Sequence, residues 1–533
     1  MWRISSLWKP AVVNQRNKKS ATIPILNVFD IYGRNFLFAW LGFLVCFLSW
    51  FGVPPLMTKM IKRDLKLTAV DIANNNICGL SATLLGRFVM GPVCDRYGPR
   101  WGMISILLIG AIPTAFMPLV NNVSGLHAIR FFISILGSSF VCCAQYVNAF
   151  FDNNIIGTAN AVAAGWGNSG AGIAFFVMPA IASALLNNDG YSLHKAWSLS
   201  FVIGPFLILL FVAFLLLFFG QDCPMGKWSR RSDILGVNQN NTLIKTVSLS
   251  KHGKVLSITA SAVGVTGVDD PAAANKILVN KDSNDEKKYL NDEAQDSEEN
   301  DVDIEDLISK DEIIRDPTFW DVAKISFAPR TLLCALPYLT TFGTELAVES
   351  ILSALYEQHE KLWPMKKAGD WASMMGLLNV VTRPLGGFIS DILYHHFKST
   401  KAKKFWMLFC GVVQGIFLIW IGFRPHLSIA GLITALSFMA LFMEMANGAN
   451  FAVVPFINKA HTGLISGSTG AFGNAGGIFF SLVFRFTIVN GKNNYFRGFW
   501  IIGICSIVVN LAVCLIPIRE ERPKKIRTEM SCA

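Results

Sequence analysis

Two segments in different halves of this 533-residue sequence carry an arginine, a glycine and an aspartate in the same register. One reads Arg87-Phe-Val-Met-Gly91-Pro-Val-Cys-Asp95 and the other Arg383-Pro-Leu-Gly-Gly387-Phe-Ile-Ser-Asp391. Each arginine precedes its aspartate by eight residues, about 12 Å of helix. If the aspartate marks a membrane surface, the arginine lies near the middle of an apolar layer about 30 Å thick. Burying a guanidinium there costs about 2.5–3.5 kcal/mol on insertion scales, so a negative charge should compensate it. Two sources are weighed, and the second is the expectation. One is an internal carboxylate, Glu345, Glu349 or Glu444, each set in apolar sequence. The other is a mobile anion between two guanidiniums that have no permanent carboxylate between them. Two facing forks suit a small planar oxyanion, because each gives parallel N–H bonds to two oxygens.

A second pair of segments shares another constant offset. Gly157, Ala161, Ala164, Asn168 and Ala171 recur at spacings of four and three, as do Gly463, Gly467, Gly470, Asn474 and Gly477. Both sets therefore lie on one helical face. Small residues there permit close helix packing. They do not account for an asparagine at the same point of both stripes, and an amide on a bare face donates to an oxyanion or holds an arginine.

The elements that carry these residues follow from composition. The chain has 52% hydrophobic and 16% charged residues, a mean hydropathy of +0.44 and a net charge of +11. Soluble domains carry about 25% charged residues. Twelve apolar blocks reach the length of about 20 residues that a membrane helix needs. Six lie at roughly 36–57, 71–92, 101–120, 126–150, 156–186 and 196–219, and six at 331–356, 370–393, 404–423, 427–457, 463–487 and 496–518. The expected fold is an all-α membrane protein of two six-helix bundles, 36–220 and 326–518, related as parallel repeats with the substrate near mid-membrane between them.

Residues 1–35 and 519–533 form basic tails, and 221–325 form a connector too polar to span. Both tails and the connector are placed in the cytosol by the positive-inside rule, although Lys59, Lys62, Arg63 and Lys66 then fall outside. No signal peptide is recognised. Residues 282–312 of the connector hold 14 acidic side chains and three lysines, a composition of disorder. Ser297 and Ser309 there, with nearby lysines, are candidate targets of a kinase or ubiquitin ligase. The eleven cysteines show no paired or metal-ligand spacing. No nucleophile–base set, phosphate loop or cofactor motif appears, so the chain reads as no enzyme, and its basic charge needs no nucleic acid.

Ala164-Gly-Trp-Gly-Asn168-Ser-Gly170 and Ala471-Phe-Gly-Asn474-Ala-Gly-Gly477 resemble the two nitrate-signature segments of the nitrate/nitrite porter family of the major facilitator superfamily. Gly91-Pro-Val-Cys-Asp95-Arg96-Tyr-Gly98-Pro-Arg100 is similar to that superfamily's loop between helices two and three, a less specific motif. The long connector resembles that of yeast and filamentous-fungal members.

The resemblance implies that Arg87 and Arg383 bind nitrate with Asn168 and Asn474. It also implies that Tyr338 and Phe342, in Pro337-Tyr-Leu-Thr-Thr-Phe342-Gly343, lean on the anion from helix seven. A helix-one aromatic is expected too, assigned to Phe47. The second segment has Ala475 where the first has Ser169, so a hydroxyl contact is not symmetric. The resemblance further implies a multi-pass plasma-membrane carrier taking up nitrate and nitrite. Moving an anion into a negative interior costs about 2.3 kcal/mol per 100 mV, so uptake must be coupled, and the resemblance to fungal members implies coupling to protons. Glu345, Glu349 and Glu444 are the candidates to carry them. Three alternatives stay open: nitrate/nitrite exchange, a nitrate sensor signalling through the connector, and another anion as cargo.

Overall fold

The computed structural model describes residues 7–14, 18–152, 155–188, 190–230, 319–457, 462–489 and 491–518. Twelve long helices dominate them. The first six are α1 Ile31–Trp50, α2 Ala69–Tyr97, α3 Pro99–Ala115, α4 Val123–Phe150, α5 Ile156–Asn187 and α6 Leu193–Phe219. The second six are α7 Pro329–His359, α8 Met365–Phe397, α9 Thr400–Gly422, α10 Ile429–Val453, α11 Thr462–Phe486 and α12 Tyr495–Cys514. Ten are long and apolar enough to cross a membrane. The two that fall short are α8, which contains Arg383 and Asp391, and α11, rich in Gly and Ser.

Helix ends are set by caps. Thr68 and Asp71 form a reciprocal capping box at α2, while Asp30, Ser192, Ser428 and Asn494 cap α1, α6, α10 and α12. Each satisfies backbone N–H groups that a helix cannot bond internally. Around the periphery, Phe211, Phe214 and Phe218 of α6 and Ile504, Val508 and Leu511 of α12 are exposed. Exposed apolar rows on both bundles fit a lipid surround.

The bundles meet where α5 packs on α8 and α2 on α11. At the α5/α8 seam a Cβ on Gly172 would stand 2.7 Å from the backbone nitrogen of Leu377 and from the carbonyl oxygen of Ser373. Only glycine allows the two backbones to touch. Polar bridges close both rims. On the face where α1 begins and α12 ends, Thr158 Oγ1 donates to Asp391 Oδ2 at 3.2 Å, and Lys403 Nζ reaches Asp391 Oδ1 at 2.6 Å. On the opposite face Thr58 donates to Glu357, and Arg485 Nε donates to Asn74 Oδ1 at 2.7 Å.

Over its described part, the N-terminal segment packs against the first bundle. Ser20 N donates to Phe150 O and Asp152 N to Ser20 O, each at 2.9 Å, and Ile23 is fully buried. After α6 the chain folds back, placing Trp228 Nε1 2.7 Å from Asp95 O. A cavity of about 470 Å³ opens there between Arg100, Trp101, Asp222 and Lys227, remote from the central arginines. The acidic stretch with Ser297 and Ser309, and the tail after residue 518, lie outside the described residues.

Candidate functional site

Arg87 of α2 and Arg383 of α8 are both buried, at 2% and 1% exposure. Neither reaches a helix end. One ring joins them: Phe342 of α7 has the Arg87 guanidinium carbon 5.3 Å and the Arg383 guanidinium carbon 5.6 Å from its centroid. Tyr338, one helical turn earlier, stacks on Phe342 at 4.9 Å and 9°. Its hydroxyl accepts from Arg383 Nη2 at 2.7 Å. The helix-seven pair expected from sequence is therefore in the site.

The two arginines are satisfied differently. Arg87 is held by neutral acceptors. Its Nη1 donates to Gly470 O of α11 at 2.6 Å, and its Nε and Nη2 approach Gly137 O at 3.4 and 3.3 Å. Phe140 covers it from α4 at 5.2 Å. The Asn474 amide lies against it. With the amide oxygen turned to the guanidinium, Asn474 accepts from Arg87 Nε at 2.7 Å and from Nη1 at 3.2 Å.

Arg383 faces carboxylates, which corrects the expectation of two arginines with no permanent carboxylate between them. Its Nη1 is 3.7 Å from Glu345 Oε2 and 3.8 Å from Glu444 Oε2, and it donates to Asn379 Oδ1 at 3.1 Å. The internal compensation, weighed and set aside on the sequence, holds for this arginine. The reason is helical spacing: Glu345 lies seven residues after Tyr338 on α7, two turns along the same face. Among the described residues Arg87 has no such ion pair.

Glu345 is the hub. Its carboxylate accepts from Asn168 Nδ2 and Asn379 Nδ2, each at 3.0 Å, and from Asn447 Nδ2 at 2.8 Å. Asn447 also donates to Glu444 Oε2 at 3.4 Å. Three amides and a guanidinium are the partners a buried carboxylate needs. Each signature asparagine thus addresses the arginine of the other bundle. Asn474 does so directly, and Asn168 through Glu345.

Glu349 is buried at 3% exposure, beside Gly376, and its Oε1 has no partner among the described residues. Phe47 is not at the guanidiniums. It packs in an aromatic column with Phe43 at 4.5 Å and Trp50 at 5.0 Å, and the first-bundle ring on Arg87 is Phe140. A third arginine, Arg130 of α4, is also buried and donates to Trp50 O. Sequence reasoning missed Phe140, Asn379 and Asn447. Asn379 lies four residues before Arg383, and Asn447 three after Glu444, spacings that put each on the face of its charged neighbour.

Two helical repeats closing on buried, oppositely placed arginines define a secondary-transporter architecture. The chain belongs to the Major Facilitator Superfamily, whose model matches residues 39–481. It is 29% identical over 504 residues to High affinity nitrate transporter 2.5 of Arabidopsis thaliana, covering 93% of this chain and 82% of that protein. It is 29% identical over 512 residues to Elsinochrome transporter 1 of Elsinoe fawcettii, covering 94% and 96%. Nitrate/nitrite transporter NrtP of Nostoc punctiforme is 27% identical over 461 residues, covering 84% and 86%. The nucleoside transporter NupG superposes with a TM-score of 0.52 at 13% identity, covering 90% of this chain and 98% of that one, a likeness of fold.

Proposed function

We propose that this chain takes up nitrate, and nitrite, by proton symport with alternating access, the anion binding between Arg87 and Arg383. The observation that carries the reading is the asymmetry at Phe342: among the described residues Arg87 has no ion-pair partner, while Arg383 is held by Glu345 and Glu444. Likeness to transporters named for nitrate supports the cargo. The Elsinochrome transporter is as similar in sequence, so cargo is argued from the site, where two buried guanidiniums select an anion.

Coupling follows from the hub. A proton added to the Glu345/Glu349/Glu444 cluster removes a negative charge beside Arg383 and frees its fork for the anion. An anion arriving without a proton would compete with a carboxylate already in place. The occupied site then permits one rim to open and the other to close. One proton per anion makes the cycle electroneutral. Two use the membrane potential, worth about 2.3 kcal/mol per charge per 100 mV.

The chain is expected in the plasma membrane with its termini and connector cytosolic. Labelled-nitrate uptake by the full-length protein, competed with unlabelled nitrite and chlorate, tests the cargo. Uptake that these anions fail to inhibit, but a carboxylate or phosphate does, overturns it. Inward current on nitrate addition at acid pH tests coupling. Intact uptake with no current and no proton movement is the result of an exchanger.

A further inference from the structure

Four residues of α7, Glu345, Glu349, Ser353 and Glu357, recur every fourth position and so form one ridge along the helix. The ridge runs about 18 Å from the hub to the rim where Thr58 meets Glu357. All four are buried, at 1%, 3%, 1% and 8% exposure, and Tyr356 beside them is fully buried. Beyond the hub, every one has an oxygen with no partner among the described residues: Glu349 Oε1, Ser353 Oγ, Tyr356 Oη and Glu357 Oε1.

Buried polar atoms are normally satisfied. A whole ridge of orphaned oxygens calls for a shared occupant. Steps of about 6 Å along the axis match one water hydrogen-bonded to both neighbours. At the outer end Glu357 accepts from Thr58 of the first bundle, with Lys59, Arg63 and Tyr495 as its charged or titratable neighbours. At the inner end Glu349 faces Glu345, Glu444 and Arg383.

We propose that this ridge is the proton entry route: Glu357 takes a proton at the rim, and Ser353, Tyr356 and intervening water pass it to Glu349 beside the hub. The inference rests on the symport reading and adds its path. A proton relayed along hydroxyls and water leaves each relay group in its starting protonation state, so only the two carboxyl ends change charge. Because Glu357 also bridges to Thr58, protonation at the entrance and closure of that rim involve the same side chain.

The test uses full-length protein in proteoliposomes, with nitrate-driven proton influx, net nitrate uptake, and nitrate counterflow at equal pH measured on the same preparations. Ser353→Ala and Glu357→Gln are expected to lower proton influx and net uptake about tenfold relative to counterflow. Ser353→Thr, which keeps the hydroxyl, should recover most of the loss. Wild-type proton influx in both Ser353→Ala and Glu357→Gln overturns the route while leaving symport standing. Nitrate transport by the wild type with no proton influx overturns the symport reading and the route together. Variants that lose counterflow in proportion to proton influx assign the ridge a structural role and overturn the proposal.

Discussion

Arg87 Nη1 donates to the carbonyl oxygen of Gly470 across the boundary between the bundles, at 2.6 Å. A Cβ at residue 470 would stand 2.7 Å from that same nitrogen, so glycine is what lets the guanidinium reach the second bundle. Gly470→Ala is expected to displace the fork without removing its charge. Apparent nitrate affinity should fall about tenfold, equivalent to roughly 1.4 kcal/mol, with surface expression retained. Uptake kinetics on expression-normalised cells provide the check.

The two arginines should fail differently. Arg383→Gln leaves Glu345 and Glu444 buried without their cation, a loss of about 3–5 kcal/mol for a broken buried pair. The detergent-solubilised variant should melt several degrees lower, and Glu345→Gln in the same chain should restore stability but not uptake. Arg87→Gln removes no ion-pair partner. It should fold nearly as the wild type and still carry no nitrate.

Lysine in place of either arginine keeps the charge and loses the planar fork. Arg87→Lys is expected to raise the nitrate concentration for half-maximal uptake at least about tenfold. Near-normal affinity in both Arg87→Lys and Arg383→Lys would remove the bidentate part of the binding account.

Both guanidiniums lie over the Phe342 ring, at 5.3 and 5.6 Å from its centroid. Phe342→Leu keeps an apolar side chain and deletes two cation–π contacts, each worth about 0.5–2 kcal/mol. Affinity should drop several-fold, by more than in Tyr338→Phe, which loses one hydrogen bond of 2.7 Å. Competition binding on purified protein separates the two.

Asp222 offers a pH signature outside the membrane segments. Burial pushes its carboxyl up to about 6, against the opposing pull of Arg100 and of the backbone N–H groups of Arg100 and Trp101. A carboxyl raised in the folded state binds its proton more tightly there than in the unfolded chain. Its contribution is therefore most favourable in acid and is lost as pH rises through about 6. The melting temperature should fall by roughly 2 °C between pH 5 and pH 7. In Asp222→Asn that slope should flatten.

Much of this was legible in the sequence, because the repeat is recorded in residue types. The offset pairing Arg87 with Arg383 also places each arginine by its distance to an aspartate, and the second offset finds Asn168 and Asn474. What stayed closed was partner choice. Whether Glu345, Glu349 or Glu444 would meet an arginine depends on how α7, α8 and α10 turn toward one another, and a one-dimensional pattern does not contain that rotation. Phe140 was invisible for the same reason, since nothing in α4 marks one aromatic over another. Phe47 shows the converse: the right residue type on the right helix, turned into the aromatic column instead.

The bare backbone contact of Gly172 with α8 would serve the proposed rocking motion as a bearing. Two main chains touching without interposed side chains can roll over one another with no rotamer to unlock and no methyl group to lift. In the alternating-access cycle proposed above, the resistance to switching lies in the polar contacts that join the bundles: Thr158 to Asp391 and Thr58 to Glu357 at the rims, and Arg87 to Gly470 and Asn168 to Glu345 at the centre.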